Sequence, residues 1–204
     1  MPDATYGQQK VYHEQGGARL VVASGGSADV ESGGEIDVES GGSLKLAGTA
    51  IAATAAELNR AADVSARIIA QTGATLSLTE ATHDGKTVVL DSAAGVTLTL
   101  PAATGSGARF RIVNKTTVTS NNHIVQVTGD DTMKGTCWMA QDAADTVVAF
   151  ETASDSDTIT MNGSTKGGLA GDVIELEDVA ADVWSVQCFL QGTGTEATPF
   201  SAAV

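Results

Sequence analysis

The sequence predicts a mainly β chain: an N-terminal arm, a short-repeat β segment, one short helix, and then an antiparallel β-sandwich of the jelly-roll sort. Three observations predict it. An eight-residue unit recurs as Val22-Ala23-Ser24-Gly25-Gly26, Val30-Glu31-Ser32-Gly33-Gly34 and Val38-Glu39-Ser40-Gly41-Gly42. Beyond Gly73, apolar and polar residues alternate in short runs separated by glycine-containing turns. Between these two regions lies one stretch, at Thr54, with the residue pattern of a helix start.

Residues 1–20 form the arm, which is polar with isolated anchors at Tyr6, Val11, Tyr12 and Leu20. Both tyrosines of the chain fall in this segment, and tyrosine suits interfaces because it joins apolar area to a hydrogen-bonding tip. Such an arm either lies along a partner's surface or frays. In the first case Tyr6, Tyr12, Leu20 and Val22 are the candidate contacts.

Residues 21–50 carry the repeats. One unit is a short strand plus a turn, too small to bury anything alone, so it must stack on its neighbours or on other copies of the chain. In Glu35-Ile36-Asp37-Val38-Glu39 the aliphatic residues alternate with carboxylates, the period of a strand with one dry face. Asp29-Val30-Glu31 and Ser43-Leu44-Lys45-Leu46 repeat the pattern. The paired glycines supply the positive φ of a tight turn, and both a hairpin meander and a cornered solenoid fit. A dry face of about two aliphatic residues per unit is marginal by itself. Chains packed around a common axis would bury these faces mutually, and a three-fold arrangement closes such a fibrous segment. Ile36, Val38, Leu44 and Leu46, with Leu58 and Ile68 from the next segment, are the candidate interface residues. A flexible Gly/Ser linker would lack this aliphatic register.

Residues 54–70 read as the helix. Thr54 and Glu57 have the spacing of a capping box, which starts the helix near Ala55. Leu58, Ala61 or Ala62, Ser65 and Ile68 to Ile69 then follow at helical steps as a narrow apolar stripe.

Residues 73–204 make the β-domain. Leu76/Leu78, Val88/Leu90, Val96/Leu98/Leu100, Phe110/Ile112, Val125/Val127, Val147/Ala149, Ile159/Met161, Ile174/Leu176 and Trp184/Val186/Cys188 mark its strands. Short strands without intervening helices favour an antiparallel sandwich over any α/β fold. Trp184 alternates into the core, whereas Trp138 is the candidate for an exposed or inter-subunit position.

The composition narrows the function. There are 25 acidic residues against 11 basic ones, a formal charge of −14, and the sequence clusters no Lys or Arg into a patch. Nucleic acid and anionic membranes are therefore poor partners. Cys137 and Cys188 lack zinc or redox spacing, which makes buried free thiols the expectation. His13, His83 and His123 lie outside metal-ligand spacing of one another. Asp130/Asp131 and Asp155/Asp157 sit in turns, where a solvated cap is commoner than the six or more converging oxygens calcium needs. Gly-rich turns never precede a helix with a Lys-Ser/Thr sequel, and no serine sits in a nucleophile elbow. The chain is thus expected to be no enzyme, with no metal or cofactor; a depolymerase borne on a fibre is the one catalytic role that would fit. The N-terminus lacks a signal-peptide pattern and no run has the length of a membrane span, so synthesis in the cytoplasm is expected.

Some segments are familiar. Thr54-Ala55-Ala56-Glu57-Leu58-Asn59 resembles a stretch of structural proteins of tailed bacteriophages, especially fibres and head decorations. Val96-Thr97-Leu98-Thr99-Leu100-Pro101-Ala102-Ala103, with Gly105-Ser106-Gly107-Ala108-Arg109-Phe110 after it, resembles the β-rich domain of phage virion proteins. Gly171–Leu176, Trp184-Ser185-Val186 and Gly192–Thr195 look like the same domain's last strands and tail. The resemblance implies a homotrimer that locks onto the outside of a phage head through the major capsid protein, as a decoration or cement protein. Tyr6, Tyr12, Leu20 and Val22 become the expected capsid contacts. The alternative is a tail or head fibre or spike whose β-domain binds a host glycan.

Overall fold

The structure is a computed structural model that describes residues 11–13, 16, 20–62 and 67–204. The chain divides into two units, residues 1–54 and 55–204.

In the first unit, β1 (Val11–His13) pairs antiparallel with β2 (Leu20–Val22), and β3 (Lys45–Leu46) pairs with β4 (Thr49–Ala50). The turn between β3 and β4 has positive φ at Ala47 and Gly48, the type I′ geometry that suits a two-residue hairpin. The strands expected at each octad are not formed within the single chain: residues 23–44 carry turns and extended links without a ladder. Residues 27–44 are all exposed, so no apolar contact within the chain holds a ladder there, whereas the tight turn at Ala47 and Gly48 brings β3 and β4 together.

The second unit opens with α1 (Ala55–Ala62), which begins where the Thr54–Glu57 pattern places it. The helix is shorter than the sequence predicts. Ile68 and Ile69, expected on its stripe, lie instead in β5 (Ile68–Gln71). Their β-branched side chains favour the pleated conformation once a neighbouring strand is present.

From β5 the chain passes back and forth between two sheets. β5, β7 (Thr87–Leu90) and β9 (Arg109–Asn114) lie in one; β6 (Thr75–Ser77), β8 (Thr97–Thr99) and β10 (His123–Gln126) lie in the other. A short helix, α2 (Glu80–His83), sits in the β6–β7 connection. Within each set the neighbours are parallel. The remaining strands are β11 (Thr132–Gln141), β12 (Val147–Glu151), β13 (Thr158–Met161), β14 (Val173–Ala180), β15 (Val183–Gly192) and β16 (Phe200–Ser201). They complete a seven-stranded sheet, β12-β11-β15-β14-β9-β7-β5, and a five-stranded sheet, β16-β13-β10-β8-β6.

The mainly β, two-sheet architecture is the expected one, but the wholly antiparallel pairing is not. Besides the four parallel pairs above, β11 runs parallel to β15 over ten residues. From β5 through β10 single strands alternate between the sheets and each returns parallel to its predecessor, whereas β13 and β16 return antiparallel after two strands in the other sheet; alternation alone does not distinguish these from a hairpin. The sequence pattern also passes over β11, whose inward positions are Met133, Gly135, Cys137 and Met139 rather than branched aliphatics. Gly135 is required there because a Cβ would collide with the Val186 carbonyl.

Inward residues of both sheets share one core, including Val88, Ile112, Ile174 and Cys188 from one and Leu98, Val125, Ile159 and Met161 from the other. Trp184 is fully buried, with its ring centroid 5.6 Å from that of Phe110. Cys137 and Cys188 face each other in the β11–β15 register as buried free thiols. Hydrogen bonding to Cys137 and then burial push the Cys188 thiol well up.

Buried carboxylates close the corners. Asp178 is 1% exposed and accepts from the Thr104, Gly105 and Ser106 amides at 3.0, 2.8 and 2.9 Å and from the Ser106 hydroxyl at 2.8 Å. Burial opposes its ionisation, yet the converging amides outweigh that and hold its pKa at about 2. Asp172 accepts from Gly168 at 2.7 Å and from Gln191 at 2.9 Å, but here burial prevails and pushes the carboxyl up. Asp131 accepts from the Ala103 amide at 2.7 Å and Asp157 from that of Ala203 at 2.8 Å, so these turn aspartates are structural acceptors.

Two predictions follow from this core. Neither thiol reacts with an aromatic disulfide reagent in the native protein, and both react after denaturation; fast native labelling would contradict the packing. On the acid side of the stability curve His123 and Asp178 each favour the native state at higher pH, whereas Asp172, with its carboxyl pushed up, acts in the opposite sense above pH 3.8. Burial lowers the pKa of His123 below its ordinary 6.5, so its contribution is complete above that pH and declines as pH falls below it. The folded pKa of Asp178 is depressed from 3.8 to about 2, so its contribution is present above pH 3.8 and is lost as pH falls toward 2. Thermal melts across pH should show both segments. Asp178→Asn should cost about 2–3 kcal/mol at neutral pH and flatten the lower segment only.

Candidate assembly and docking surfaces

The octads place their turns and side chains in strict repetition. The Gly26, Gly34 and Gly42 amides donate to the carbonyls of Ala23, Glu31 and Glu39 at 2.8, 2.8 and 2.9 Å. Gly25, Gly33 and Gly41 have φ of 75°, 86° and 88° at the third position of each turn, the type II geometry that glycine permits. The turn also folds back on its own aliphatic residue, since a Cβ on Gly34 or Gly42 would meet Val30 or Val38 Cγ1 at 2.9 Å.

Two columns of period eight result. One is Leu20, Ala28, Ile36 and Leu44; the other is Val22, Val30, Val38 and Leu46. All are exposed in the single chain, with Ile36 at 76% and Leu46 at 66%. Within each extended link the apolar residues hold even positions and Asp29, Glu31, Glu35, Asp37 and Glu39 hold odd ones, which puts carboxylates on the opposite side of an extended backbone. Between turns, residues 27–30 and 35–38 make no backbone hydrogen bond among the described residues.

The expected interface residues Ile36, Val38, Leu44 and Leu46 thus fall in these columns. Leu20 and Val22, expected to contact a partner surface, occupy the first positions of the same columns. Tyr6 lies outside the described residues, and Tyr12 is placed in β1 opposite Val21. Leu58 is exposed on α1, and Ile68, 70% exposed, is on the edge strand β5.

The outward face of the seven-stranded sheet holds a second surface. Its register brings together Ala70, Val89, Val113, Val173, Phe189, Trp138 and Ala149, one from each strand, as a continuous apolar row. The neighbouring row is polar and includes Thr87, Arg111, Glu175, Gln187 and Thr136. Beside it lies a groove of about 450 Å³ where Lys86, Arg109 and Arg111 stand with Glu175 and Glu177. Arg109 meets Glu177 at 2.8 Å and Arg111 meets Glu175 at 3.5 Å, so these cations form no free anion site. The sequence shows no basic patch because its arginines and glutamates lie far apart in the chain; the alternations Arg109-Phe110-Arg111 and Glu175-Leu176-Glu177 are the signal that two strands pair their charges.

Trp138 is half exposed, as its irregular surroundings suggest, and Trp184 is not exposed at all. The His83 ring lies in the α2 turn, where its Nδ1 accepts from the Thr79 amide at 3.0 Å. Among the described residues no three His, Cys, Asp or Glu side chains converge as a metal site. No protein family, curated protein or solved structure matches the chain.

The columns make a direct prediction. Exposed aliphatic residues contribute little to a lone chain, so Ile36→Asp with Leu44→Asp should change monomer stability by no more than about 0.5 kcal/mol each. In an assembled stem the pair should lower the melting temperature in a concentration-dependent way and reduce the mass seen by light scattering. An unchanged mass and melt would mean that the columns contact nothing.

Proposed function

We propose that this chain is a capsid decoration protein, a homotrimer that binds the major capsid protein on the outer surface of a tailed-phage head and stabilises the shell. The observation that carries the reading is the pair of exposed octad columns, whose aliphatic side chains and extended backbones are complete only beside other copies. The likeness of the Thr54–Asn59 and Val96–Ala103 segments to phage virion proteins supplies the setting. In this reading the chain is made in the host cytoplasm and acts by binding alone.

The mechanism follows from linkage. A ligand that binds the assembled shell and not its separated subunits stabilises the shell by mass action. Three arms carried on one stem dock with a high effective concentration, so weak contacts by each arm give a tight complex. Because Leu20 and Val22 begin the stem columns, Tyr6 and Tyr12 are left as the principal shell contacts of the arm. The acidic surface keeps decorated heads apart in solution.

A second reading, a fibre or spike whose β-domain binds a host glycan, is favoured by one observation, the half-exposed Trp138 on a sheet face lined with Gln187 and Thr136. Immunogold microscopy of virions with antibody against residues 73–204 separates the two. Gold over the whole head is expected; gold confined to the tail tip or one vertex would replace cementing with host binding. Deleting residues 1–20 should abolish head binding and leave the trimer intact, and retained binding would remove the arm's role.

A further inference from the structure

We infer that the outward face of the seven-stranded sheet is a contact surface between copies of this chain, anchored by Trp138 and Phe189; the inference rests on the association of copies proposed above and adds a second surface to it.

Trp138 and Phe189 are register partners on β11 and β15, each 50% exposed. Ala149 stands opposite Trp138 on β12, and one step along the strands Ala140 stands opposite Val147, itself 58% exposed. Five contiguous apolar side chains therefore face water at one end of the sheet. The core is built from the other face of these strands, so folding does not account for them. A contiguous patch of this kind marks a contact site. β12 is also the last strand of its sheet, and Val147–Glu151 contains neither the proline nor the lysine that usually guards an open edge.

Charge identifies the occupant. The chain carries −14 overall, yet the outward residues of the seven strands include three cations, Arg109, Arg111 and Lys134, and three carboxylates, Glu151, Glu175 and Glu177. The face is neutral, and the surplus negative charge lies elsewhere. Two copies of an acidic chain repel wherever their acidic surfaces meet, and this face lets them touch without that cost. The arrangement also has the anatomy of an interface, with aromatic anchors in an apolar row and paired charges beside it. Seven strands spaced about 4.8 Å apart and three rows of side chains give about 600 Å² per copy, or about 1,200 Å² in total, the lower end of stable interfaces. Tethering through the octad stem would make an area of that size sufficient.

Sedimentation velocity of the full chain counts the copies, and acrylamide quenching of tryptophan emission in the same sample reads the face. Trp184 is buried, and Trp138→Phe supplies its background signal. The expected result is an oligomer in which Trp138 is quenched no more readily than Trp184. Phe189→Glu should restore quenching of Trp138, whereas Phe189→Leu should not. An oligomer whose Trp138 quenches like free indole, or protection that survives Phe189→Glu, would overturn the inference while leaving the stem intact. A monomer with accessible Trp138 would overturn both.

Discussion

Several connections between the two sheets leave backbone amides at the rim of a dry core with no ladder to join, and at the β8–β9 and β13–β14 connections and after β16 buried aspartates supply the missing acceptors. An unsatisfied buried amide is costly, and a chain that crosses between sheets from β5 through β10 meets that cost repeatedly. Asp178 gathers three consecutive amides from the β8–β9 connection while itself lying in β14. It thereby ties the parallel-wound half of the domain to the half that follows. Asp172 joins the turn before β14 to the end of β15, and Asp157 holds the last residues of the chain. These carboxylates are spent on the backbone, so their burial signals architecture rather than acid–base chemistry.

The first unit meets the opposite situation. Its turns satisfy one amide per octad, and its links have neither a ladder nor a core. A polypeptide in that state does not hold an eight-residue register for its own sake, since each glycine pair and each aliphatic position could drift without loss to a lone chain. Repetition of Val22, Val30, Val38 and Leu46 at constant spacing is explained when several chains stack in phase. The even–odd separation of aliphatic residues from carboxylates then puts the dry side inward and the charge outward.

How much of this was legible in the sequence depends on the range of the interaction. Local signals read well: the Thr54–Glu57 cap located the start of α1, the octad glycines located the turns, and alternation located most strands of the β-domain. What could not be read was which strands are neighbours. Parallel winding leaves the same alternation as a hairpin, so the antiparallel expectation came from the statistics of short connections and not from these residues. β11 carries a weak strand signal because Gly135, Cys137 and Met139 fill its inward positions, and the close approach of Val186 that demands Gly135 is a contact 51 positions away in the chain. Ile68 and Ile69 fit the helical stripe in the sequence because a β-branched pair suits either period until a partner strand is known. The apolar row from Ala70 to Ala149 draws one residue from each of seven strands, and no linear pattern announces it.

Charge distribution is a property that the two units share. A chain of this acidity gains solubility but resists meeting its own copies. Both surfaces described above remove that resistance by the same means, since each excludes the surplus carboxylates from the contact. In the octads they occupy the opposite side of the extended links, and on the seven-stranded sheet Arg109 and Arg111 pair with Glu177 and Glu175 while the outward cations and carboxylates are equal in number. An acidic protein that acted only as a monomer would have no reason to keep two neutral faces, one of them unsupported by any core. Their coexistence supports the proposed self-association: in that assembly the negative surface sets where copies must not touch, and the two neutral surfaces set where they do.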